Sequence, residues 1–245
     1  MSKQSLSQVS QSKLIKDKVA AYTDVYSTKS FIIFELLTKS PRQLERESGW
    51  DFSGKEFILA DTRVKIQDLN GLLNIYNFFS HKVFSSVLNQ CGIEIGKSSI
   101  IAKKVMEQHL GTKEYAVDKY QRLFSLAGDI GDETKDCINQ NITRFAGAIF
   151  NPATAPKEYL TAKLGNNAAN RVIQAKANSR EELARVVNEL TPDDPELNQR
   201  NIIGPYFRVT LTSTKQESTW SEMIEVKFTQ KIIKQPLTFL GYSPL

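Results

Sequence analysis

The side chains of this chain that could do chemistry are few and dispersed. Its two histidines are His81 and His109, and neither falls into an order with serine and a carboxylate that nucleophilic catalysis uses. His81 follows an aromatic run and reads as a surface or interface residue. The stretches that signal phosphate, metal or acyl chemistry are absent: GxxxxGK(S/T), HExxH, GxSxG, and GxGxxG after a strand. Carboxylates do cluster. Asp129, Asp132 and Asp136, with Glu133, make an oxygen-rich loop of a kind that could hold calcium, but the spacing fits no EF-hand. Gly128 and Gly131 already account for a turn there. Asp193, Asp194 and Glu196 form a second acidic stretch that reads as a solvated helix stop. Cys91 and Cys137 could pair in an oxidising compartment or stay as buried free thiols. Neither lies in a CxxC, which argues against zinc. No cofactor beyond the calcium candidate is expected, and the set speaks against an enzyme.

Composition points the same way. The chain has 245 residues, 40% of them hydrophobic, enough for a real core in one large domain or two small ones. Its 32 basic and 27 acidic residues leave a net charge of +5. They are interleaved without long blocks of one sign, which favours a solvated mixed surface over a face built for polyanions. The longest nearly apolar run, Phe31–Leu37, falls far short of the roughly 20 residues that a membrane-spanning helix needs. The first residues are rich in Ser and Gln, unlike a signal peptide.

The elements that must position these residues emerge from periodicity. Residues 5–39 predict one long amphipathic helix, with Ile15, Val19, Tyr22, Tyr26, Ile33 and Leu37 on one face. The second half of that stripe is expected to pack on a core. The first half is expected to run beyond the globular body, which makes Ile15, Val19, Tyr22 and Tyr26 candidates for a partner interface. Pro41 is expected to end the helix, with a polar connector over 41–54. Phe57–Ala60 and Val64–Gln67 read as short strands. From Ile75 to about Lys103, and again over 117–147, the period is helical, with breaks at Cys91–Gly96 and Gly128–Asp132. A helix from Pro156, with Thr154 as its cap, turns at Leu164–Gly165 into a second. Ser179-Arg180-Glu181-Glu182 reads as a capping box opening a third, stopped by Thr191–Pro195. Phe207, Val209 and Leu211, then Ile224, Val226 and Phe228, alternate with polar residues and predict two half-buried antiparallel strands. Strands on both sides of a helical block imply an α+β protein with the helices inserted into the sheet.

Within this order the most informative stretch is Val64–Ile75, read as a strand, an Asn-Gly turn and the start of a helix. Asn70-Gly71 is expected to supply the positive φ of a tight turn. Asp68 and Asn74 are placed to bond backbone amides. A second device of the kind stands at Asn151–Ala155, with Asn151, Thr154 and Ala155 as its marked residues. Both are structural rather than catalytic. Residues 155–175 also outline a helix-hairpin-helix, which can present turn amides to a phosphate. Asn166-Asn167-Ala168 lacks the second glycine usual in such hairpins. A DNA-binding protein of that type is the alternative reading.

Four of these stretches, in order, resemble the type II secretion minor pseudopilin K family (general secretion pathway protein K). Asp68, Gly71 and Asn74 fall on the fixed positions of its I-x-D-x-x-G-x-x-N segment. Asn151, Thr154 and Ala155 match its N-x-N-T-A segment, with Ala153 in place of the usual asparagine. Val172–Glu182 is similar to its hydrophobic pair, basic residue and S-x-E-L stretch, with Lys176 for arginine. Tyr206, Phe207 and Val209 match its S-x-Y-F-x-V strand, with Gly204 for serine. The resemblance covers residues 55–235.

The resemblance implies a pilin-like fold: a long N-terminal helix on an antiparallel sheet, with an inserted all-helical region of two small modules. Those modules would be similar to sterile-alpha-motif or helix-hairpin-helix units. The implied divisions are helix 1–40, first strands 41–70, helical insertion 71–200 and returning strands 201–245. The family sits at the tip of the periplasmic pseudopilus with the I- and J-type minor pseudopilins and the major pseudopilin, and it helps start assembly. Nucleic acid is not an expected partner on this reading. In the family an apolar inner-membrane anchor forms the first half of the long helix. Here that anchor is missing, so Met1–Lys13 is expected to begin a soluble segment of the helix. The family's acidic Asp-Trp-x-Asp stretch is also missing, so its calcium sites do not carry over.

Overall fold

The structure, a computed structural model, describes residues 3–76, 81–111, 120–145, 150–190, 203–228 and 237–244. The acidic stretch Asp193, Asp194 and Glu196, the helix stop Thr191–Pro195 and the side chain of His109 lie outside the described residues. The chain divides into two compact units: residues up to Asp68 with those from Pro205 onward, and residues Leu69–Gly204.

The first unit is built on helix α1 (Lys3–Thr38), followed by α2 (Pro41–Ser48), β1 (Ser53–Leu59) and β2 (Thr62–Asp68). It is completed by β5 (Tyr206–Lys215), β6 (Ser218–Phe228) and β7 (Leu237–Pro244). The five strands form one sheet in the order β1-β2-β5-β6-β7, each pair antiparallel. This is the expected α+β, pilin-like arrangement, with α1 against β2, β5 and β6. Alternation builds the contact: Val64 and Ile66, then Phe207, Val209 and Leu211, then Ile224, Val226 and Phe228 are all buried.

The helix meets the sheet through a different stripe from the one the periodicity suggested. Ala21, Val25, Thr28, Ile32 and Leu36 are buried, spaced 4, 3, 4 and 4 residues apart. Leu37, expected in the core, is 42% exposed, and Ile33 is half-buried. The helix carries apolar residues on two faces, and the sheet takes the one with small residues at Ala21 and Thr28, which let the backbones approach. Polar ties fix the register. Thr28 Oγ1 donates to Thr62 Oγ1 at 3.0 Å, and Lys29 pairs with the buried Glu222 at 2.5 Å.

Two further departures have local causes. Residues 41–54 are more than a connector, because Ser40-Pro41-Arg42-Gln43 is a complete capping box with proline at the first helical turn. Gly49 closes α2 at φ 67°, and Leu44 and Trp50 are buried. The tail adds a third strand, β7, beside β6. Its sequence, Leu237-Thr238-Phe239-Leu240-Gly241, breaks strict alternation and hid it.

The second unit holds β3 (Leu73–Asn74), α3 (His81–Gln90), α4 (Ile95–Gly111), α5 (Tyr120–Ala127) and α6 (Asp132–Asn141). Next come β4 (Ile142–Thr143), α7 (Lys157–Leu164), α8 (Asn166–Asn178) and α9 (Arg180–Leu190). The unit is not all-helical: β3 and β4 pair in parallel, Leu73 beside Ile142 and Asn74 beside Thr143. The Asn-Gly segment therefore leads into a two-residue strand and not into a helix. One core, including Phe84, Leu88, Ile101, Leu123, Ile138 and Leu160, joins the helices. Cys91, just past α3, is disulfide-bonded to Cys137 on α6, which settles the alternative the sequence left open. Closing a loop across a separation of 46 residues stabilises by about 4 kcal/mol in the chain-entropy account.

The two faces of α1 are separable by experiment. Ile32→Ala should lower stability by about 2–5 kcal/mol, the range for truncating a buried Ile. Ile15→Ala, on the exposed face, should leave the urea midpoint nearly unchanged.

Candidate functional site

The marked residues fall into three places. The first is the turn after β2. Asp68 is fully buried, and its N–H donates to Phe52 O at 2.9 Å. Leu69–Gly71 is a single 3₁₀ turn, and Gly71 does not have positive φ, contrary to expectation. Its glycine answers a different need. A Cβ there would lie 2.5 Å from Thr154 Oγ1 and 2.7 Å from the Thr154 carbonyl carbon and oxygen. Two segments far apart in sequence thus pack backbone on backbone. Asn70 O accepts from Asn151 N–H at 2.8 Å, locking the approach. Asn151 Oδ1 accepts from Ala153 N–H at 3.1 Å, a local Asx turn, and Ala155 is buried behind it. Asn74 Oδ1 accepts from Tyr76 N–H at 2.9 Å. The Asn70–Asn151 contact brings the two sequence devices together.

Thr154 is not the N-cap residue of the helix after it. The N-cap of α7 is Pro156, which has no side chain able to bond the first amides. Asn141, at the end of α6, supplies the bond from a distance: its Oδ1 accepts from Tyr159 N–H at 3.1 Å. Its Nδ2 donates to Cys137 O at 2.8 Å and lies 3.8 Å from Cys137 Sγ and 4.0 Å from Cys91 Sγ. Nothing in local sequence marks Asn141, because the helix it caps starts across an intervening segment.

The second place is the outward face of α1. Ile15, Val19, Tyr22 and Tyr26 are 64%, 58%, 45% and 55% exposed. They form an apolar strip that the sheet of their own unit leaves largely exposed. The sequence reading missed Trp220 on β6, which extends this strip. Its ring meets Tyr22 edge-on at 5.3 Å, and Tyr22 stacks on Tyr26 at 6.3 Å. Lys18 Nζ sits 5.8 Å from the Trp220 ring centroid, a cation–π distance. Trp220 Nε1 is buried with no hydrogen-bond partner among the described residues. At the same end of the sheet, Lys215 pairs with Asp24 at 2.8 Å and Asp61 at 2.7 Å. Those bonds, Asp24 first, raise the Lys215 pKa, and the Lys215 bond lowers that of Asp61. The Lys215 contribution is therefore present below the lysine's ordinary range and is lost as pH rises through its raised value. The Asp61 contribution is lost as pH falls through the lowered value.

The third place is the acidic loop. Asp129, Asp132 and Asp136 do not converge. Among the described residues no group of three or more His, Cys, Asp or Glu is arranged to hold a metal ion. Asp132 and Glu133 occupy the first turn of α6, where negative charge meets the helix dipole. Lys135 bonds Asp132 at 2.8 Å and lowers its pKa.

The helix-hairpin-helix outline changes in detail. The turn between α7 and α8 is the single residue Gly165, at φ 81°. Arg171 on α8 pairs with Glu189 at 2.7 Å. Arg208, on the polar parity of β5, is buried at 6% exposure with Glu225 at 1%. Arg208 Nε and Nη2 both donate to Glu225 Oε1, at 2.9 and 2.6 Å. Gln67, also buried, faces Arg208 in the register. Alternation cannot reveal this, because the pair occupies the polar parity of the strands.

No known protein-family pattern matches the chain, and no curated protein does. Among solved structures, it is similar to a chain in the crystal structure of the GspK-GspI-GspJ complex from the enterotoxigenic Escherichia coli type 2 secretion system. The TM-score is 0.53 at 12% identity, over 98% of this chain and 99% of that one. The fold is thus GspK-like over almost the whole length, as the resemblance implied.

Gly71→Ala should cost about 1–3 kcal/mol, the range for overpacking. Thr154→Ala, which removes the hydroxyl, should not restore it, because the Thr154 carbonyl carbon and oxygen crowd the new methyl at 2.7 Å, nearly as closely as the hydroxyl at 2.5 Å; urea unfolding of the single and double variants checks this. Arg208→Leu should cost about 3–5 kcal/mol by removing the guanidinium that pairs with the buried Glu225 carboxylate. Adding Glu225→Leu should recover part of that loss, read as a higher urea midpoint for the double variant than for Arg208→Leu.

Proposed function

We propose that this chain is a non-enzymatic structural subunit at the tip of a type II secretion pseudopilus. There it joins the I- and J-type minor pseudopilins and the major pseudopilin and helps initiate assembly for protein export across the outer membrane. The observation that carries the reading is the outward strip of α1 on a GspK-like fold. Ile15, Val19, Tyr22 and Tyr26 run along the helix, and Trp220 widens the strip. A large apolar strip left in water is costly and marks an interaction surface. Its elongated shape suits a partner helix laid alongside, with aromatic residues as anchors. The solved complex containing a chain of this fold includes two other pseudopilins, GspI and GspJ.

The proposed location is the periplasmic face of the inner membrane, with the full-length protein anchored there. The Cys91–Cys137 disulfide suits an oxidising compartment. Among the described residues no helix is long and apolar enough to cross a membrane.

Soluble I- and J-type pseudopilin domains should co-purify with this chain. The double variant Ile15→Glu, Val19→Glu should fold with an unchanged melting temperature and lose that association. Retention of the complex by a folded double variant, or no association of the unmodified chain, would contradict the proposal.

A further inference from the structure

The disulfide is asymmetric in a way that gives its two sulfurs different chemistry. Cys91 comes just after the last turn of α3 and is 6% exposed. Its neighbours on the core side are Leu88 and Ile93, at 1% and 4%. Cys137 lies in the middle of α6 and is only partly buried, at the edge of the same core. Asp136 beside it is exposed, and so is Glu133 one turn before it. Asn141 buttresses the bond from the inside, its Nδ2 lying near both sulfurs while its Oδ1 holds the first turn of α7. An attacking thiolate must approach along the S–S axis from outside the core. The solvent side of this bond is the Cys137 side.

We infer that Cys137 is the exchange-reactive sulfur of this protein, the atom through which a dithiol or disulfide reagent forms and breaks the staple of the helical unit. In the reductive direction a thiolate RS⁻ attacks Cys137 Sγ. The Cys91–Cys137 bond breaks, the mixed disulfide Cys137–S–S–R forms, and Cys91 leaves as thiolate. A second RS⁻ attacks the R sulfur, releases RSSR and leaves Cys137 as thiolate. The two protein thiolates take up two protons, so the protein gains two electrons and two RS⁻ are oxidised to RSSR. Oxidation by a disulfide reagent runs the same steps in reverse: Cys137 is modified first, and Cys91 then closes the bond. Cys91, enclosed by core side chains, reacts only with Cys137 while the unit is folded. The inference does not depend on the secretion reading.

The probe is reduced glutathione. The native protein is exposed to it briefly, quenched with acid, alkylated and digested, and the two cysteine peptides are analysed by mass spectrometry. Glutathione should be found on Cys137 and the alkyl group on Cys91. Glutathione on Cys91, or equal amounts on both, would overturn the assignment. The single variants give a second reading with Ellman's reagent. Cys91→Ser, which leaves the Cys137 thiol, should react about tenfold faster or more than Cys137→Ser, which leaves the Cys91 thiol. Equal rates in two variants that both retain native circular dichroism would also overturn it. The wild-type measurement stands if either variant fails to fold.

Discussion

The first unit depends on one contact, the seating of α1 on the inner face of the sheet. Ala21, Val25, Ile32 and Leu36 meet the alternating Val64, Ile66, Val209, Leu211, Ile224 and Val226, all buried. The register is held by Thr28 on Thr62, Lys29 on Glu222 and Asp24 on Lys215. Because these polar ties fix the rotation of the helix about its axis, they also fix which apolar residues remain outside. Ile15, Val19, Tyr22 and Tyr26 are outward because the sheet has already chosen the other stripe. The candidate interface is thus a consequence of the fold's own packing and not a separate feature added to it.

The second unit solves another problem, how to hold a helical array whose chain leaves the sheet after Asp68 and returns at Pro205. The Asn70–Asn151 bond and the close approach of Gly71 to Thr154 tie its first segment to its middle. The β3–β4 pair adds a short ladder next to that contact. The disulfide and the distant Asn141 cap then link α3, α6 and α7. Each of these groups supplies a backbone or packing interaction that a short helix lacks.

Much of the first unit was legible in the sequence. Proline and polarity bounded the long helix, and the period-2 tail revealed β5 and β6. The face of α1 was not legible, because a helix with two apolar stripes gives the same 3.6-residue signal for either one. The Asn-Gly pair marked the right place for the wrong reason: crowding by Thr154, and not a left-handed turn, requires Gly71. Arg208 and Glu225 were hidden by their place on the polar parity of the strands. Trp220 was invisible because its partner Tyr22 lies almost the whole chain away. Pairing of Cys91 with Cys137 could not be derived from two residues outside any motif; it took the packing of α3 near α6 to bring them to a Cα–Cα distance of 5.5 Å.

The central claim is that the outward strip of α1 is where partner pseudopilins sit. A photo-crosslinking residue placed at Val19, and in a second protein at Ile58 on the edge strand β1, tests it directly. Both positions are exposed, at 58% and 74%, so accessibility alone does not separate them. Illumination with the I- and J-type pseudopilins should give a crosslinked product from position 19 and none from position 58. Crosslinks from position 58 with none from position 19 would contradict it.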